Sequence, residues 1–406
     1  MASILFLSLL LYISTLSPAT ALSKTIHVSN ELFNSLEELS RIVDISYCVG
    51  TTGVHQPFQC LSRCIEFPDL ELVTTWNTGL LLSDSCGYIA LSHSPSSKQI
   101  ILAFRGTYSI TNTIIDLSAY PQAYIPYPDP EENTTTTPNP TSPHCENCTV
   151  HAGFMRSWLE TRPTILPQIS ILRQKYPDYT ITLVGHSLGG AVAALAGLEM
   201  RLKGWDVTVT TFGEPMIGNG ALAAFIDEQF GLGDGISIPP LDPLDGGMRF
   251  RRVTHVGDPV PMLPLAEWGY RPHAGEVFIK REGLPPRRED VVHCLGAVDP
   301  GCIAGGGVEG VLVELYRDLN VVGLAGSGGE GRRSSDGDGD SDGVSEEQAV
   351  LGGESSDIAG CEDRLSPLRW DWSHIPARYR LWELFYAHRD YFWRIGLCVP
   401  GGDPTG

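Results

Sequence analysis

Tyr179-Thr-Ile-Thr-Leu-Val-Gly-His-Ser-Leu-Gly-Gly-Ala-Val-Ala-Ala-Leu-Ala-Gly-Leu-Glu-Met-Arg-Leu-Lys203 changes character twice along its length. The β-branched residues up to Val184 predict a strand. The Ala-rich run from Gly190 to Lys203 predicts a helix, closed by Gly204. Between them, Gly185-His186-Ser187-Leu188-Gly189 fits Gly-x-Ser-x-Gly. In a chain with 44 glycines the bare pentapeptide proves little. The bland alternative is a glycine-rich turn between strand and helix. The setting argues for more, because a strand, a sharp turn and a helix are what a nucleophile elbow requires. Such a turn lifts the Ser187 Oγ clear of the backbone. Gly185 and Gly189 leave room for the tight geometry. The helix N-terminus aims its dipole and free N–H groups at negative charge developing beside the serine.

The rest of the chain extends this unit in both directions. Leu32, Leu36, Leu39 and Val43 fall at helical spacing, which predicts an amphipathic helix over residues 30–45. Residues 87–92 and 99–104 read as the two strands of a hairpin, and 207–212 and 250–256 as further strands. Residues 153–176 read as a helix interrupted by Pro163 and Pro167. Residues 121–147 are rich in Pro, Thr and Asn and read as a long loop. Strands alternating with helices imply an α/β fold with a mostly parallel sheet covered by helices on both faces.

A serine hydroxyl is a weak nucleophile. It needs a base, and the base needs an acid to orient it. In this architecture the chain order is serine, then acid, then histidine. Asp258, in His255-Val-Gly-Asp258-Pro-Val-Pro261, follows the strand ending at Val256 and so stands at a carboxyl end of the sheet. Its bland reading is a turn Asp before Pro259. Asp206 precedes its strand and falls at the opposite end. Four histidines follow Asp258: His273, His293, His374 and His388. His388 sits in Tyr386-Ala-His388-Arg-Asp-Tyr-Phe-Trp393, where aromatic residues could wall the ring from water; a satisfied structural histidine is the alternative. An oxyanion hole needs two donors. Leu188 N–H, just after the nucleophile, supplies one. Thr107, after the strand 99–104, offers both an N–H and a hydroxyl.

The compartment is read from the start of the chain. Ile4 to Leu16 is a nearly continuous apolar run, and Ala19-Thr20-Ala21 is a small-residue cleavage pattern. A secretory signal peptide over residues 1–21 is expected, although Met1-Ala2-Ser3 carries no Lys or Arg. That run is too short for a span, so no stable membrane span is expected. Ten cysteines agree with an oxidising route and an extracellular destination. Cys145-x-x-Cys148 has no matching second pair, which favours a disulfide over zinc. Asn133-Thr-Thr and Asn147-Cys-Thr are glycosylation sequons.

The net charge of −20 disfavours nucleic acid and anionic membranes as partners. Residues 304–363 hold 14 acidic and 3 basic residues, and so supply −11 of that charge. They read as a disordered acidic insertion with one short helix near 309–322. Within it, Asp338-Gly-Asp340-Ser-Asp342-Gly343 matches half of an EF-hand loop, but the twelfth position is Ala349 rather than Glu. A solvated acidic tract is the better reading. No metal site and no cofactor is expected.

Several ordered segments together resemble the fungal class 3 lipases, a secreted filamentous-fungal family that also includes feruloyl esterases. They are Phe104-Arg-Gly-Thr-Tyr-Ser-Ile-Thr-Asn-Thr-Ile-Ile-Asp-Leu117, Val150-His-Ala-Gly-Phe154, Val184-Gly-His-Ser-Leu-Gly-Gly190, Thr211-Phe-Gly-Glu-Pro215, Arg252-Val-Thr-His-Val-Gly-Asp258-Pro-Val-Pro-Met-Leu-Pro264 and the histidine-aromatic C-terminal segment. The resemblance spans about residues 45–290 and 370–400. It implies one α/β-hydrolase domain over residues 22–406, with Ser187, Asp258 and His388 as catalytic triad and Thr107 and Leu188 as oxyanion donors. It also implies a lid over 108–117. There Ile110, Ile114 and Leu117 lie at i, i+4 and i+7 and would present one apolar face. Thr113 stands where the family's lid usually carries Trp. The implied disulfides are Cys48–Cys398, Cys60–Cys64, Cys145–Cys148 and Cys294–Cys302, with Cys86 and Cys361 unassigned. The expected activity is serine carboxylester hydrolysis, foremost of triacylglycerol, on a lipid or ester substrate at an oil–water interface. The alternatives are a feruloyl or short-chain esterase and a non-catalytic lipid-binding member.

Overall fold

Apolar residues alternate along the strands, and each alternate set enters a different core. Tyr88, Ala90, Ile101 and Ala103 join one cluster, while Ile89, Leu91, Ile100, Leu102 and Phe104 join another. A sheet buried on both faces produces this pattern, since successive side chains point to opposite sides. The computed structural model describes residues 26–79, 85–107, 117, 124–126, 143–233, 248–305 and 386–402. The expected signal segment, the acidic insertion from residue 306 onward with its EF-hand-like tract, Asn133, Cys361 and His374 lie outside them.

Among the described residues the main sheet has nine strands. They are β1 (Ile26–His27), β2 (Leu70–Asn77), β3 (Cys86–Ser92), β4 (Gln99–Arg105), β5 (Thr180–His186), β6 (Val207–Phe212), β7 (Phe250–His255), β8 (Glu276–Ile279) and β9 (Val291–His293). Their order is β1-β9-β8-β7-β6-β5-β4-β3-β2. The central strands β4 to β8 run parallel. Both edges are antiparallel, including the expected β3–β4 hairpin.

Helices α2 (Ala152–Lys175), α3 (Leu188–Leu202) and α4 (Gly220–Phe230) contribute to one core with the sheet, and α1 (Asn30–Ile45) to the other. Ser29 Oγ caps α1 by accepting the Leu32 N–H at 3.0 Å.

Two local expectations are corrected. The prolines do not interrupt α2, which runs unbroken through Pro163 and Pro167. Both are exposed and lie four apart, so they share the solvent face. Water can bond the carbonyls that lose their N–H partners there. Phe154, Met155, Trp158, Thr161, Ile165, Ile169 and Leu172 hold the opposite face in the core. Residues 124–126, expected as loop, form a strand antiparallel to Thr149–His151 in a small four-stranded sheet with Gly218–Asn219 and Tyr270–Arg271.

Residues 386–402 return to α1. Phe392 meets Phe33 edge-on at 5.2 Å, and Trp393 Nε1 donates to Glu37 Oε1. The Gly396 N–H donates to Asp44 Oδ1 at 2.9 Å. Cys48 is bonded to Cys398, and the other three implied disulfides are also present.

Candidate active site

The parallel centre of the sheet presents its carboxyl ends together, and the candidate residues leave from neighbouring ends. Gly106 and Thr107 follow β4, Ser187 follows β5, Gly213 follows β6, and Asp258 follows β7 after a two-residue turn. Ser187 has φ 57° and ψ −130°. A positive φ is uncommon for a residue with a Cβ and marks stored strain at a functional turn. The turn closes only because its flanks are bare. A Cβ on Gly185 would lie 2.2 Å from the Gly189 oxygen, and one on Gly189 would lie 2.5 Å from the Phe104 oxygen. The Ser187 N–H donates to the Phe212 oxygen at 2.9 Å, which pins Ser187 to β6. Leu188 opens α3, where the first N–H groups have no acceptor within the helix.

His388 reaches this point from the other end of the chain. Its Nδ1 lies 3.0 Å from both Asp258 Oδ1 and Oδ2, and both side chains are fully buried. Asp258 Oδ1 also accepts the Val260 N–H at 2.9 Å, and Oδ2 accepts the Tyr391 hydroxyl. Burial and the Asp258 carboxylate hold the Tyr391 hydroxyl well above its usual range, so it stays a donor. With three donors on it the buried carboxyl group is fully bonded, and as their acceptor it fixes the proton of His388 on Nδ1. The opposite ring nitrogen, Nε2, then faces away as a base. Gly213 makes room for this arrangement: a Cβ there would lie 2.8 Å from His388 Cε1 and 3.0 Å from Asp258 Oδ2.

Three side-chain atoms at the site, Ser187 Oγ, His388 Nε2 and Thr107 Oγ1, are buried without a hydrogen-bond partner among the described residues. Other buried side-chain atoms of the described residues also lack a partner, Ser157 Oγ and Thr210 Oγ1 among them, but here three such atoms come from residues at neighbouring strand ends and the C-terminal segment, and a catalytic role is one physical reason for a buried orphan. A hydroxyl, a ring nitrogen and a second hydroxyl are the groups that a nucleophile, a base and an oxyanion donor would require. The rival assignments fall elsewhere. His273 bonds Glu214 at 3.0 Å, His293 lies on β9 next to the edge strand β1, and Asp206 is exposed between Arg249 and Arg201. Of the lid residues, Leu117 is buried in the core cluster that contains Leu188, whereas Ile110 and Ile114 lie outside the described residues. Among the described residues no group of three or more His, Cys, Asp or Glu could hold a metal ion, and no helix is long and apolar enough to cross a membrane.

The model of the family "Lipase (class 3)" matches residues 101–268. "Lipase A" of Sodiomyces alcalophilus is 50% identical over 396 residues, covering 93% of this chain and 85% of that one. The chain belongs to the class 3 lipases. "Secreted mono- and diacylglycerol lipase 2" of Gibberella zeae is 47% identical over 391 residues, covering 93% of this lipase and 85% of its own length. The solved LIP2 lipase of Yarrowia lipolytica superposes with a TM-score of 0.61 at 35% identity, over 70% of this lipase and 91% of that chain. As a member of this family the protein is a carboxylic ester hydrolase that acts on lipids, and its fold is the α/β-hydrolase fold.

Sequence reasoning on this lipase missed the partners around the triad candidates. Tyr391 was visible only as one aromatic among several near His388. Gly213 lies within the quoted Thr211–Pro215 stretch, but nothing local ties it to His388. Asp44, fully buried beneath Gly396, carried no signal beyond its place in an amphipathic helix. Burial pushes its carboxyl up to about 6, partly offset by the Gly396 N–H, Arg63 and Ser62.

Proposed function

We propose that Ser187, His388 and Asp258 form the catalytic triad of a secreted lipase that cleaves acylglycerol esters through an acyl-enzyme. Ser187 Oγ attacks the ester carbonyl as His388 Nε2 takes its proton. Asp258 keeps the imidazole oriented and stabilises its cation. The oxyanion settles between the Leu188 N–H and the N–H and hydroxyl of Thr107. Each such donor is worth about 10²- to 10³-fold in kcat. His388 then gives its proton to the leaving alcohol and activates a water that releases the fatty acid. The observation that carries this reading is the set of three buried unpartnered atoms, at Ser187, His388 and Thr107, beside a fully bonded Asp258.

Triacylglycerol is the proposed substrate. The name of the Gibberella zeae relative favours a second reading, in which mono- and diacylglycerols are preferred. The apolar spacing of Ile110, Ile114 and Leu117 supports a lid whose apolar face covers the serine in water and turns outward at an oil surface. Secretion is proposed from the apolar run and small-residue site in residues 1–21 and from the relative's name.

Rates of the purified protein on tributyrin across its solubility limit, and on mono- and diacylglycerols, phospholipid and methyl ferulate, test both points. A rise beyond the solubility limit that Ile114→Asp blunts supports the lidded lipase. Faster cleavage of mono- and diacylglycerols selects the second reading. Ordinary saturation below the limit with methyl ferulate as the best substrate would overturn both in favour of an esterase.

A further inference from the structure

Behind the nucleophile lies a line of hydrogen bonds that the triad does not use. The main-chain oxygen of His388 can only accept, and it lies 2.8 Å from His186 Nε2. His186 Nε2 must therefore carry the ring proton, which leaves Nδ1 as an acceptor. The Tyr47 hydroxyl, 2.5 Å from that Nδ1, must be its donor. The Gly106 N–H in turn bonds the Tyr47 oxygen. A Cβ on Gly106 would lie 2.5 Å from that oxygen and 2.9 Å from Ser187 Cβ. The line thus starts on the loop that carries Thr107, passes the residue before the nucleophile, and ends on the residue that carries the base. Tyr47 and His186 are both buried.

We propose that Tyr47 and His186 are positioning residues for ester hydrolysis, the hydrogen-bonded line through them setting the spacing between the oxyanion loop at Gly106–Thr107 and the base at His388. The inference rests on the triad reading above. Oxyanion donors and base work only when held within about 0.5 Å of the productive arrangement. Here they come from opposite ends of the chain, and Ser187 sits between them. The line also keeps His186 neutral. Its ring lies 4.8 Å from that of His388, centroid to centroid. Burial and the neighbouring His388 hold it well below the usual imidazole range. A cation there would oppose the imidazolium that His388 must become during acyl transfer.

The alternative is a buried network that only stabilises the core. Three variants separate the two: Tyr47→Phe, His186→Leu and His186→Gln, the last keeping an amide donor for the His388 oxygen. On a soluble p-nitrophenyl ester, Tyr47→Phe and His186→Leu should lower kcat about ten- to a hundredfold while KM stays within about twofold, as expected for misplaced catalytic groups. His186→Gln should recover about tenfold over His186→Leu, and the Tm of Tyr47→Phe should stay near that of the wild type. Wild-type kcat in Tyr47→Phe, a kcat loss that glutamine does not relieve, or a loss that follows Tm would overturn the proposal. Should His186→Leu fail to fold, kcat and KM of the other two variants decide it. Labelling of Ser187→Ala by a fluorophosphonate would sink the triad reading itself, an outcome separate from all of these.

Discussion

Ser187 takes its turn geometry from its neighbours in sequence and is tied to the adjacent strand by one backbone bond, whereas His388 is placed by residues 130 and 202 positions away, Asp258 and His186. At the elbow, two glycines, one strand end and one helix start fix a positive φ within five residues. In the C-terminal segment the same accuracy depends on a disulfide to Cys48, a buried Asp44 and aromatic packing on α1. The elbow is rigid because no other backbone closes the turn. His388 is rigid only while distant parts of the fold stay docked. The proposed nucleophile and the proposed base should therefore fail in different ways.

The largest effect tests chemistry alone. Ser187→Ala should remove ester hydrolysis by about 10⁶-fold in kcat with folding intact, and a fluorophosphonate should no longer label the protein. His388→Ala should lose nearly as much, and His374→Ala should lose little. If the His374 change is the damaging one, the base has been misassigned.

Opening the Cys48–Cys398 bond by Cys398→Ser tests the docking of the base. Closing so long a loop contributes about 2–5 kcal/mol, so Tm should fall by several degrees. Near that lower Tm, hydrolysis should be lost before the far-ultraviolet circular dichroism changes, because the segment bearing His388 undocks ahead of the sheet. Simultaneous loss of both signals would erase the contrast between the two regions.

Tyr391→Phe removes one donor from the buried Asp258 carboxylate. Losing a hydrogen bond to a charged buried group costs about 1–3 kcal/mol, so kcat should fall about tenfold with KM little changed. A kcat equal to that of the wild type would mean that Val260 and His388 suffice to hold Asp258.

The last effect is a pH dependence of stability, which leaves the chemistry untouched. The Asp44 carboxyl is raised to about 6 in the folded protein, above its unfolded value near 3.9. Between those values the folded state binds more protons than the unfolded one. The carboxylate therefore costs stability above pH 6, and the cost is relieved as pH falls towards 4. It amounts to about 3 kcal/mol. Asp44→Asn should gain Tm relative to the wild type at pH 7, and that gain should shrink at pH 5. A constant difference across this range would show that Asp44 does not titrate there.

What the sequence disclosed follows the same division. The strand, turn and helix around Ser187 were legible because every cause is local. Asp258 could be placed at a strand end by the chain order alone. His388 needed the aromatic context and the family resemblance to separate it from three rivals, because its partner is far away in sequence. The contacts of Tyr391, Tyr47, His186 and Asp44 left no local trace, since each exists only once the chain ends meet. The helix through Pro163 and Pro167 was misread for the converse reason. Local propensity forbade it, and apolar burial on the opposite face prevailed.

The Cys48–Cys398 bond joins positions 350 residues apart and so turns nearly the whole protein into a covalent ring. A protease that cuts the chain once anywhere between those two cysteines linearises the ring without releasing a fragment. The nicked protein would keep one mass on a denaturing gel run without reductant and separate into two bands with it. In the presence of proteases, a single clip would leave Ser187 and His388 tethered to each other.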